Sequence, residues 1–132
     1  MTAMEIRERH LNKSKAKGTA GESQILGYLE DLGIDAHRLV LMGAEDQGDI
    51  YLEQPLDITI ECKNEKKTTL SEYVNEANRE SDNAKTWIGV AWHKRRGKGS
   101  PADWYVTMDG KTFGEILLAL KYLLLQLENK SG

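Results

Sequence analysis

Hydrophobic and polar positions alternate with a period of two between Asp49 and Lys63, interrupted by a turn centred near Pro55. Folded as a hairpin, the segment pairs Ile50 with Ile60, Leu52 with Ile58 and Asp49 with Glu61. Successive side chains of a strand point to opposite faces. One face then carries Ile50, Leu52, Ile58, Ile60 and Cys62, and the other Asp49, Tyr51, Glu53, Thr59, Glu61 and Lys63. The second face reads as the half-solvated side of a strand pair.

Elsewhere the period changes. Ile25, Leu26, Leu29 and Leu32 recur at helical spacing, which predicts a helix from Thr19 to about Leu32, ended by Gly33. Ala36–Val40 is a short strand candidate, followed by a loop from Met42 to Gln47. Leu70, Tyr73, Val74 and Ala77 predict a largely polar helix to about Ala84. Thr86–Trp92 and Trp104–Thr107 are rich in aromatic and branched residues and predict strands. A last helix is expected from about Thr112 to Glu128. The resulting order is α-β-β-β-α-β-β-α, an α/β fold with a mixed sheet flanked by helices. Residues 1–18 form a basic arm outside a single domain spanning 19–132.

The last helix is apolar on more than one face. Ile116, Leu117, Leu120, Leu123, Leu124 and Leu127 form one stripe, and Leu118, Tyr122 and Leu125 form another. So small a domain has little chain left to cover both. The helix is therefore expected to form a homodimer contact, the alternative being a fully buried core helix.

Charge sharpens the picture through its distribution. The net charge is −3, yet residues 1–18 hold Arg7, Arg9, Lys13, Lys15 and Lys17 against only Glu5 and Glu8. The segment 93–98 adds Lys94, Arg95, Arg96 and Lys98 with no acid. Two concentrated basic segments in an otherwise acidic chain fit a phosphate-binding footprint, although solubilising segments share that composition. The lone cysteine, Cys62, excludes a disulfide framework and fits a reducing cytoplasm. The longest apolar stretches are too short and broken to span a bilayer.

Candidate chemistry centres on the hairpin. Carboxylates facing each other across a strand pair lie roughly 5 Å apart at Cβ and repel unless a cation neutralises them. Asp49 and Glu61 form such a pair, and Lys63 projects from the same face two residues on. Two acids and a lysine at one point suggest metal-assisted hydrolysis. Glu22 lies on the core-facing stripe of the first helix. It completes a capping box with Thr19, and a glutamate so placed can also turn toward a metal or phosphate. His10, His37 and His93 show no metal-ligand spacing, and the three tryptophans are read as core.

The segments Lys17-Gly18-Thr19-Ala20-Gly21-Glu22, Gly48-Asp49-Ile50 and Ile60-Glu61-Cys62-Lys63 together resemble the PD-(D/E)xK nuclease superfamily, and within it the archaeal-type and phage Holliday junction resolvases. The likeness covers residues 15–65 by motif and the remainder by element order. It implies a restriction-endonuclease-like fold and a structure-selective endonuclease cutting four-way DNA junctions. It implies Mg²⁺, with Mn²⁺ as a substitute, held by Asp49, Glu61, the Cys62 backbone carbonyl and Glu22. It makes Lys63 the residue that orients or deprotonates the attacking water. DNA contacts are expected from Lys13, Lys15, Lys17, Lys94, Arg95, Arg96 and Lys98, in a cytoplasmic dimer, with phage encoding as one reading of its source. Gly48 stands where the superfamily name has proline, which alters the turn and not the ligand. The rival readings are a restriction-like or repair nuclease on duplex or single strands, and a DNA-binding module without catalysis.

Overall fold

A computed structural model describes residues 20–39 and 49–131. They form three helices and a five-stranded mixed open sheet with strand order β1-β2-β3-β4-β5. Helix α1 (20–31) leads into β1 (Ala36–Arg38), β2 (Asp49–Leu52) and β3 (Ile58–Lys63). Helix α2 (Leu70–Ala84) crosses over to β4 (Ile88–His93), and β5 (Tyr105–Thr107) precedes α3 (Gly110–Ser131). Strands β1, β2 and β3 are successively antiparallel, β4 lies parallel to β3, and β5 returns antiparallel. A parallel neighbour requires a crossover, which α2 supplies.

The β2–β3 register is the one the spacing predicts: Asp49 faces Glu61, Ile50 faces Ile60 and Leu52 faces Ile58. The face carrying Ile50, Leu52 and Ile60 packs with Ile25 and Leu29 of α1 and with Val90, Trp92 and Trp104. Burying these side chains is the main drive to fold, at about 1.5–3 kcal/mol each.

The opposite face is not solvated. Helix α2 covers it through a small cluster of Tyr73, Ala77 and Ala91, and Thr59 beneath is fully buried. The close approach depends on Gly89 of β4. A Cβ there would sit 2.2 Å from the Ala77 carbonyl oxygen and 2.9 Å from the Ser81 Cβ. The buried stripe of α2 is Tyr73, Ala77, Glu80 and Ser81, while Leu70 is 49% exposed. The stripe expected around Leu70 and Val74 is thus rotated toward the acidic side of the helix.

Boundaries shift at several element ends: β4 starts at Ile88, β5 at Tyr105, and α3 runs on to Ser131. The strand expected over Ala36–Val40 ends at Arg38, and Val40 lies outside the described residues. The fourth strand includes His93. Helix α3 begins two residues before Thr112, capped by the Asp109 carboxylate, which accepts from the Thr112 amide at 2.8 Å. The arm 1–18, Thr19 and the loop Met42–Gln47 also lie outside the described residues. Among the described residues no helix is long and apolar enough to cross a membrane.

Candidate active site

Four strand positions and one helix build the site. Asp49 opens β2, Glu61 faces it from β3, and Lys63 follows on the same face. In the parallel partner, Ala91 lies beside Glu61 and His93 beside Lys63. Side chains of alternating strand residues share a face, so the sheet offers Asp49, Glu61, Lys63 and His93 to α2. From that helix come Tyr73, Glu76 and Glu80 at spacings of three and four, one face of an α-helix.

Asp49 is 1% exposed and Glu61 7%, and Glu80 is buried with them. Burial raises the Asp49 carboxyl to about 11, helped by hydrogen bonding and charge from Glu61 and then from Glu80. Its Oδ2 has no hydrogen-bond partner among the described residues. Three carboxyl groups crowded into one buried space cannot all ionise unless a cation joins them.

Lys63 supplies one positive charge. Its ammonium lies 3.3 Å from Glu61 Oε1, donates a hydrogen bond to Glu76 Oε2, and sits 5.7 Å from the centre of the Tyr73 ring. Burial alone would lower its pKa, but Glu76 and Glu61 outweigh that and raise it above the ordinary lysine value. The side chain is therefore a fixed cation at neutral pH. His93 is the reverse case. Burial lowers its pKa, and its Nε2 is 2.7 Å from the Thr107 hydroxyl. It stands as a neutral imidazole between Tyr73 and Tyr105.

Glu22 comes from helix α1. It is 5% exposed and paired with Arg38 of β1 at 3.0 Å. Burial raises its pKa, and the Arg38 charge and hydrogen bond oppose that rise. Its field meets those of Glu61 and Asp49 at Cys62, whose thiol is raised well above its usual range by burial first and then by these three acids. The Cys62 side chain packs on the α1 face, and its carbonyl lies in the backbone between Glu61 and Lys63.

The basic loop adjoins this site. The Lys94 amide donates to the Lys63 carbonyl at 2.9 Å, tying the loop to the end of β3. A cleft of about 440 Å³ opens there, lined by Asn64, Glu65, Lys66, Lys94, Arg95 and Arg96, four cations against one acid. The loop is held in place. Lys94 lies over the Trp104 ring at 5.6 Å and Arg95 over the Tyr105 ring at 4.4 Å, cation–π contacts that fix both stems. Arg95 also donates to the Asp103 carbonyl and the Trp104 indole to that of Lys98, both at 2.8 Å. The remaining expected DNA contacts, Lys13, Lys15 and Lys17, lie outside the described residues.

The structure thus gathers Asp49, Glu61 and Lys63, and adds Glu76, Glu80 and His93, which sequence reasoning missed. Extending the Tyr73–Ala77 stripe by one turn would have reached Glu80. Among the described residues no group of three or more His, Cys, Asp or Glu side chains is disposed as a metal cage. Mg²⁺ does not need one, since it commonly takes one or two carboxylates and completes its shell with water and phosphate oxygens. Asp49 and Glu61 fit that smaller requirement, and the unpartnered Asp49 oxygen gives a bound cation a ready ligand. Comparison with protein-family models, with curated proteins and with solved structures returns no match for this chain.

Proposed function

We propose that this chain is a Mg²⁺-dependent, structure-selective DNA endonuclease that hydrolyses phosphodiester bonds in branched DNA such as four-way junctions. The observation that carries the proposal is the buried Asp49–Glu61 carboxylate pair beside Lys63, opening next to a cationic cleft. The α-β-β-β-α-β-β-α order and the parallel return of β4 beside β3 also support a restriction-endonuclease-like topology.

Asp49, Glu61 and the Cys62 carbonyl would hold the ion. A cation held there would polarise the scissile phosphate and lower the pKa of a water molecule. In the metal-free protein Lys63 is held protonated by Glu76 and Glu61. Its role is to orient the water and steady the negative charge that grows on the phosphate oxygens, a stabilisation worth most in a dry, preorganised site. Glu76 fixes the ammonium so that little reorganisation is needed. The cleft at residues 64–66 and 94–97 receives the neighbouring phosphates, with Arg95 and Lys94 held ready on aromatic faces.

The test is cleavage of labelled four-way junctions, flaps, duplexes and single strands by the purified chain with Mg²⁺, alongside Glu61→Gln. The variant should lose roughly 10²–10³-fold in rate while keeping junction affinity within several-fold. Near wild-type cleavage by Glu61→Gln refutes the site. Junction binding without cleavage by the wild type makes the chain a DNA-binding module, and preference for unbranched DNA makes it a restriction-like or repair nuclease.

A further inference from the structure

Helix α3 runs from Gly110 to Ser131, and Thr112 is its only buried residue. At 1.5 Å per residue its 22 residues extend about 33 Å. Phe113, Leu117, Leu118, Leu120, Tyr122, Leu123, Leu124, Leu125 and Leu127 are each 46–70% exposed. So large a contiguous apolar surface marks a contact site.

Three occupants compete for it. The arm 1–19 offers only Met1, Met4, Ile6 and Leu11 as large apolar residues among many charges, too few to cover nine. A membrane surface requires a basic polar face, whereas α3 carries Lys111, Lys121 and Lys130 beside Glu115 and Glu128. The third is another helix with the same repeat, and the spacing selects it. Phe113, Leu117, Leu120, Leu124 and Leu127 follow one another at intervals of four, three, four and three. That is the 3.5-residue period of a coiled-coil seam, in which each side chain enters a hole between four residues of a facing helix. A groove along this seam is lined by Leu117, Leu120 and Leu124 and flanked by Lys121 and Glu128. Only a second copy of this chain brings an identical seam at equal concentration.

We infer that α3 is a self-association helix, and that its Phe113–Leu127 seam docks on the same seam of a second copy of this chain. The inference is independent of the nuclease reading and stands or falls without it. Pairing would join two domains by their C-terminal helices.

Sedimentation of the full chain at micromolar concentration tests this. The wild type should show at least twice the 14.9 kDa chain mass, and Leu120→Lys/Leu124→Lys should fall to a single chain mass. Both residues are 50% exposed, so the fold should persist, read by fluorescence of the buried Trp92 and Trp104. Leu118→Lys, on the other stripe, should still associate. A wild-type monomer overturns the inference, as does association that survives the seam variant or is lost only in Leu118→Lys.

Discussion

Replacing Asp49 with asparagine should make the metal-free protein more stable. Asp49 has a folded pKa of about 11 against an ordinary 3.8, because it is buried and faces Glu61 and Glu80. The folded chain therefore keeps a proton that the unfolded chain gives up. Its contribution to stability is complete below pH ~4 and is lost progressively as pH rises toward 11. At pH 7 the loss is about 4 kcal/mol, from ~1.4 kcal/mol for each pH unit above the ordinary value. Asparagine needs no proton and offers two N–H donors to the neighbouring acids. Allowing for relaxation, a gain of about 2–4 kcal/mol is expected, or roughly 6–15 °C in Tm for a domain of this size. Thermal denaturation in EDTA at pH 7 measures it. At pH 5 the gain should shrink to about 1 kcal/mol, and added Mg²⁺ should raise the Tm of the wild type but not of Asp49→Asn. An Asp49→Asn protein no more stable than wild type at pH 7, or a gain that persists at pH 5, would refute the reasoning.

Three further outcomes can be measured. Glu76→Gln should keep the fold but lower single-turnover cleavage about 10-fold with little change in KM, since Lys63 loses half of its clamp at a cost of ~1.4 kcal/mol in the transition state; an unchanged rate would leave Glu76 a structural residue. Neutralising Lys94, Arg95, Arg96 and Lys98 together should flatten the dependence of log K on log salt by about 0.9 for each duplex phosphate that these side chains neutralise in the wild type; an unchanged slope would remove the loop from the binding face. Gly89→Ala should lower stability by about 1–3 kcal/mol, because its methyl group drives α2 away from β4, and urea titration showing no loss would contradict the close packing.

The hairpin was legible because period-two alternation and a short turn leave one register, and Asp49, Ile50 and Leu52 meet their expected partners. The same alternation misled about the polar face. A strand face covered by a helix with its own acids has the composition of one facing water. Glu76 and Glu80 were unreadable for that reason: a glutamate on the buried side of an amphipathic helix is written like one on the wet side. Only the depth of Asp49 and the reach of Lys63 distinguish them. Glu22 shows another limit. Its position on the core side of α1 followed from spacing, but its partner Arg38 comes from β1, and no local pattern ties the two. In α3 the apolar stripes were plain, while their exposure required the packed domain.

The two faces of the sheet are secured unequally. Eight buried residues hold the α1 side together, whereas the buried apolar cluster under α2 is Tyr73, Ala77 and Ala91. A layer held by so few apolar side chains opens locally at a lower free energy than the whole domain unfolds. Such an opening would lift Glu76 and Glu80 away from Lys63 and Asp49 while leaving the β2–β3 ladder paired. Trp92 and Trp104 belong to the other layer and would report an intact molecule throughout. Closure of the α2 layer and global stability are then separate quantities in this chain, and a sample can read as folded by Trp92 and Trp104 while α2 has lifted from the sheet in part of it.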